Sequence, residues 1–86
     1  MEERQATVKN KLGLHARPSA LLVQATSKLA SEIALIKDGL EVNGKSIMGV
    51  MMLAAEVGAR ITVRAEGADE AEAAEKVVKL IESAFD

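Results

Sequence analysis

The chain has 86 residues with 11 basic and 13 acidic side chains, a net charge of −2, and is expected to form a single domain spanning residues 1–86. There is no cysteine, tryptophan or tyrosine and one phenylalanine, so the core must be aliphatic, and disulfides and thiolate metal sites are excluded. One histidine leaves only carboxylates as further metal ligands, which is not the donor set of a zinc site, and no apolar run approaches the roughly 18 residues of a membrane span.

Met1 to Gln5 is charged and no apolar segment follows, so no signal peptide is expected, and the protein is read as cytoplasmic with no membrane insertion. The charge is uneven. Residues 1–65 carry nine basic and six acidic side chains, whereas residues 66–86 carry two and seven. The mild excess of positive charge around Lys9, Lys11, Arg17 and Lys45 suits a phosphate or an acidic partner protein. Without aromatic stacking residues or a dense basic run, nucleic acid is not an expected partner.

Arg4 to Lys11 reads as a strand, with Ala6 and Val8 on one face and Gln5, Thr7 and Lys9 on the other. Gly13 ends it. Proline fixes its own φ and lacks an N–H, so Pro18 belongs in the first turn of a helix. That helix is predicted from about Ala16 to Lys28, with Leu21, Leu22, Ala25 and Leu29 as its apolar stripe. Ile33–Lys37 and Leu40–Asn43 form a hairpin around Asp38-Gly39, two residues that accept positive φ. Ser46 is placed as the N-cap of a short helix running from Ile47 to Leu53. That helix has too many apolar residues for one narrow stripe, so some should face solvent. Arg60 to Glu66 is the clearest strand, with Ile61, Val63 and Ala65 pointing one way and Thr62 and Arg64 the other. Asp69 and Glu72 look like an acidic capping box opening a last helix, whose buried face is Ala71, Ala74, Val77, Val78, Ile81 and Phe85. The order βαββαβα, with one buried face per strand, predicts an α+β fold: an antiparallel sheet with helices on one side.

The chemistry concentrates in Gly13-Leu14-His15-Ala16-Arg17-Pro18. His15, the sole histidine, falls at a strand-to-helix corner. Amides in a first helical turn lack intrahelical partners and attract anions. A nucleophilic ring, a guanidinium suited to bidentate phosphate binding and free N–H donors together can hold a phosphoryl group on a histidine. Each residue also has a plainer reading. His15 could be structural, Arg17 a solvated side chain, and the Met48, Met51 and Met52 cluster core. Judged by position alone, Ser46 is first a helix cap. No Asp or Glu lies within several residues of His15, so no triad can be drawn, and the glycines fit neither a P-loop nor a dinucleotide fingerprint.

The Gly13–Pro18 motif, followed about thirty residues later by Lys45-Ser46-Ile47-Met48-Gly49-Val50-Met51, resembles the HPr family, the histidine-containing phosphocarriers of the bacterial phosphoenolpyruvate:sugar phosphotransferase system. The resemblance runs along essentially the whole chain. It implies an open-faced β-sandwich, a four-stranded antiparallel sheet of order 1-4-2-3 with three helices on one face. It implies that His15 accepts a phosphoryl group at Nδ1 from phosphorylated enzyme I and passes it to enzyme IIA domains of sugar permeases, with Arg17 binding the phosphate. The protein would then be a phosphoryl carrier with a covalent phosphohistidine intermediate, without a cofactor and not an independent enzyme. The segment around Ser46 resembles HPr of low-GC Gram-positive bacteria. There Ser46 is phosphorylated by HPr kinase/phosphorylase, and the product is a corepressor of catabolite control protein A in carbon catabolite repression. Lys45, Ile47, Met48, Met51 and Met52 are then the expected partner-binding surface, and no stable oligomer is expected. The alternative is a purely regulatory HPr-like protein acting through Ser46 and the Ile47–Met51 surface; the regulatory paralogue lacks the histidine, so His15 argues against it. Leu12, Ser19 and Met52 depart from the commonest family pattern and are read as bearing on partner preference.

Overall fold

The computed structural model describes residues 1–83. Seven elements follow in the order β1 (Glu2–Thr7), α1 (Ala16–Thr26), β2 (Glu32–Lys37), β3 (Leu40–Asn43), α2 (Ile47–Met52), β4 (Arg60–Glu66) and α3 (Glu70–Glu82). The four strands form one sheet of order β1-β4-β2-β3, and every pairing is antiparallel. Strand β4 lies between β1 and β2, which therefore run parallel to each other without touching, and α1 makes the crossover. This is the α+β open-faced sandwich expected from the sequence, with the helices covering one face.

Strand β4 spans the predicted residues, with Ile61, Val63 and Ala65 fully buried. Strand β1 starts and ends earlier than predicted, because its partner begins at Arg60 and the register pairs Thr7 with it. Val8 nevertheless remains in the core, and its N–H donates to the Ala59 carbonyl at 2.9 Å. At the β2–β3 turn Asp38 and Gly39 have φ of 50° and 82°, the left-handed pair that a two-residue hairpin requires. On the open face Arg64 donates to Glu3 on β1 and to Glu41 on β3, both at 3.0 Å, so one guanidinium ties the two edge strands across the sheet.

Two helical faces differ from expectation. On α1 the buried residues are Pro18, Ser19, Leu22, Val23 and Thr26, while Leu21 is exposed. The stripe is rotated because Ser19 and Thr26 hide their hydroxyls by bonding backbone: Ser19 Oγ donates to Leu14 O, and Thr26 Oγ1 to Val23 O and Gly44 O. On α3 the buried face is Ala73, Ala74, Val77 and Ile81, with Ala71 exposed; the predicted core residue Phe85 lies outside the described residues. The Asp69–Glu72 capping box does not form. The Asp69 carboxylate instead accepts from the Ala30 N–H, the Ser31 N–H and the Ser31 hydroxyl, clamping the α1–β2 turn to the start of α3. Those three donors hold Asp69 below the ordinary carboxylate range, the Ser31 hydroxyl contributing most. Glu70 takes over at the helix start by accepting from the Gly67 N–H, and it pairs with the Met1 ammonium, which lowers its pKa. No helix of the described residues is long and apolar enough to cross a membrane.

Candidate functional site

His15 is the N-cap residue of α1, in extended backbone (φ −79°, ψ −167°), and its ring is half-buried. Its carbonyl accepts the Ser19 N–H at 3.0 Å, the first bond of the helix. The N–H groups of Ala16 and Arg17 therefore have no acceptor within the helix, and Pro18, buried in the third position, has no N–H to leave unpaired. Arg17 is exposed on the same turn. One end of α1 thus holds an imidazole, a guanidinium and two amides without an intrahelical acceptor.

Four features the sequence reading missed lie at this corner. Gly13 has φ 73°, and a Cβ there would collide with the Ala55 carbonyl oxygen. That oxygen accepts the Leu14 N–H at 2.8 Å, tying the corner to the segment after α2. Ala54, just before it, is in the left-handed region at φ 50°, a conformation that costs an alanine about 1–2 kcal/mol. The fully buried Ser19 bonds the Leu14 carbonyl at 3.0 Å, so this departure from the family pattern braces the site and does not present itself to a partner. A glycine two residues before the histidine was the available signal; the bond to Ala55 spans too much sequence to be read.

Ser46 is the N-cap of α2, its hydroxyl accepting the Gly49 N–H at 3.0 Å. Lys45 is half-buried and its ammonium donates to the Leu29 carbonyl at 2.7 Å, so part of its role is to hold the exit of α1. Helices α1 and α2 pack together in opposite senses. The Leu14–Ala55 bond joins the start of α1 to the segment after α2, while Thr26–Gly44 and Leu29–Lys45 join the end of α1 to the segment before α2. Ser46 is therefore at the far end of the pair from His15. Between them α2 buries Val50 and exposes Ile47, Met48, Met51 and Met52, the last three at 71%, 41% and 64%.

A small open-faced sandwich with a histidine and an arginine at one helix mouth has the form of a phosphocarrier, and comparison with known proteins gives the same class. The family model described as the PTS HPr component phosphorylation site matches residues 2–83. Among similar proteins, the phosphocarrier protein HPr of Cupriavidus necator is 46% identical over 99% of this chain and 96% of its own. The HPr-like protein Crh of Halalkalibacterium halodurans is 52% identical over 95% of this chain and 98% of its own. The crystal structure of HPr-C-His from Thermoanaerobacter tengcongensis superposes with a TM-score of 0.92 at 52% identity, covering 99% and 96% of the two chains. The chain belongs to the HPr family of the phosphotransferase system.

Proposed function

We propose that the protein is a cytoplasmic, monomeric relay that takes a phosphoryl group from phosphorylated enzyme I onto His15 and yields it to enzyme IIA domains. The Nδ1 lone pair of His15 attacks the phosphorus of the donor phosphohistidine in line. The new P–N bond forms as the donor's breaks, and the donor imidazole leaves with the electron pair. Phosphoryl transfer asks mainly for positioning and charge stabilisation. The Ala16 and Arg17 amides and the Arg17 guanidinium would supply both. A carrier must hold the group only as tightly as its partners do, which an exposed arginine suits better than a closed cage. The observation that carries this reading is His15 at the N-cap of α1 with Arg17 exposed on the same turn. The α2 methionines and Ile47 give an adaptable apolar contact for donor and acceptor in turn, with Arg17 and Lys45 adding positive charge. Incubation with enzyme I and labelled phosphoenolpyruvate should yield a label lost in acid and kept in base; a base-labile, acid-stable product would point to serine and refute the relay.

Ser46 serves as the regulatory site in this proposal, phosphorylated by HPr kinase/phosphorylase and read by catabolite control protein A. Its position favours this: an added phosphate at the start of α2 meets the positive end of that helix and borders the exposed apolar patch. The second reading, a regulatory protein without phosphoryl relay, draws support from the Crh relative among the similar proteins. The same labelling separates the two, because only the relay makes phosphohistidine.

A further inference from the structure

The docking surface on α2 owes much of its apolar area to sulfur. Three of the four methionines in the chain, Met48, Met51 and Met52, fall on this six-residue helix. Their spacing of three and four residues sets them on one face. All three are exposed, and the residue that anchors the helix to the core, Val50, is fully buried on another face. The chain has no cysteine, tryptophan or tyrosine. A peroxide meeting this protein therefore finds its most oxidisable groups gathered at the contact surface, with Met1 the one sulfur elsewhere.

We propose that Met48, Met51 and Met52 are a reversible oxidation site at which peroxide switches off partner docking while the fold stays intact. The thioether sulfur attacks one oxygen of the peroxide. An S–O bond forms as the O–O bond breaks, and the departing hydroxide takes up the proton to leave as water. Sulfur is oxidised by two electrons and the peroxide is reduced by two. The product, a sulfoxide, is polar and chiral, and it spoils an apolar contact surface. None of the three side chains is buried, so their oxidation leaves the core unchanged. The Ser46 cap on Gly49 and the Val50 anchor do not involve sulfur. The inference rests on the docking role proposed above for α2.

The test treats the whole protein with hydrogen peroxide and maps oxygen addition by peptide mass spectrometry. Met48 and Met52 should oxidise ahead of the less exposed Met51. The melting temperature should not move. The kcat/KM for His15 charging by enzyme I should fall by about tenfold or more, as expected when an unsatisfied polar group enters an apolar contact. Methionine sulfoxide reductases of both stereospecificities should restore it. In the Met48→Leu/Met51→Leu/Met52→Leu variant, which keeps Met1, treated and untreated samples should charge at the same rate, whatever that rate is. An oxidised wild-type protein that charges as fast as the untreated one overturns the oxidation site and leaves the relay standing. So does a loss that the triple variant shares. A protein that takes no label even before peroxide removes the relay itself.

Discussion

Replacing Gly13 with alanine tests whether the His15 corner is held by the segment beneath it. Gly13 sits at φ 73°, where an L side chain costs about 1–2 kcal/mol. The added Cβ would also run into the Ala55 carbonyl oxygen, a main-chain atom that no rotamer change can move aside. The two segments must part, stretching or breaking the Leu14–Ala55 hydrogen bond, worth about 0.5–1.5 kcal/mol. Together these amount to a destabilisation of about 1.5–3.5 kcal/mol, less than the roughly 5–15 kcal/mol of a typical domain, so the variant should still fold. Gly39→Ala is the matched control: φ is 82° but nothing lies within 4 Å of the new Cβ, so only the backbone cost applies. Urea unfolding should give Gly13→Ala a midpoint well below that of Gly39→Ala. His15 charging by enzyme I should fall sharply in Gly13→Ala alone, because a displacement of about 1 Å at a reacting group can cost about 100-fold. Equal stabilities for the two variants, together with wild-type charging by Gly13→Ala, would refute the reasoning.

His15→Ala should abolish phosphoenolpyruvate-dependent labelling, and acid-labile phosphate persisting in that variant would sink the relay. Ser46→Asp should slow charging by raising KM for this protein as substrate of enzyme I, with kcat little changed; a fall confined to kcat would argue against an effect on docking. Ser19→Ala should cost about 1 kcal/mol in unfolding experiments, because the Leu14 carbonyl loses a buried donor. Asp69 is held below its ordinary value of 3.8, so the folded state gains stability from it above that pH and loses the gain as the pH falls through the lowered pKa. Thermal melts of wild type and Asp69→Asn should therefore differ at neutral pH and converge in acid; a gap that stays constant across that range would count against the Ser31 clamp.

Period-two and hairpin signals carried most of the architecture. Arg60–Glu66 alternates without interruption, and Asp38-Gly39 has the chemistry its turn needs, so β4 and β3 are legible residue by residue and β2 to within one residue, its start being Glu32 and not Ile33. Helix faces were harder to read. Ser19 and Thr26 are buried because each hydroxyl finds a carbonyl, and an apolar stripe cannot register a polar residue satisfied in that way. Asp69 has the look of a cap, yet its carboxylate reaches Ser31, far back in the chain. Lys45 reads as surface charge until the fold brings the Leu29 carbonyl to it. At the candidate site the placement of His15 and Arg17 at the start of α1 and of Ser46 at the start of α2 was legible, since it depends on side-chain type and on nearness to a helix start. Of the brace only Gly13 offered a signal; the bond from Leu14 to Ala55 joins main-chain atoms that any sequence possesses.

The opposed course of α1 and α2 sets His15 and Ser46 about one helix length apart, on the order of 10–15 Å. Two phosphoryl groups of about two charges each would interact across that distance in water by about 1 kcal/mol, and physiological salt, with a Debye length of about 8 Å, removes most of that. Charge deposited at either end is nearly unfelt at the other. If both proposed sites are used, one chain could be bare, singly marked at either address, or marked at both, and any incompatibility between the two marks would have to be imposed from outside, by whichever visiting surface has to span them.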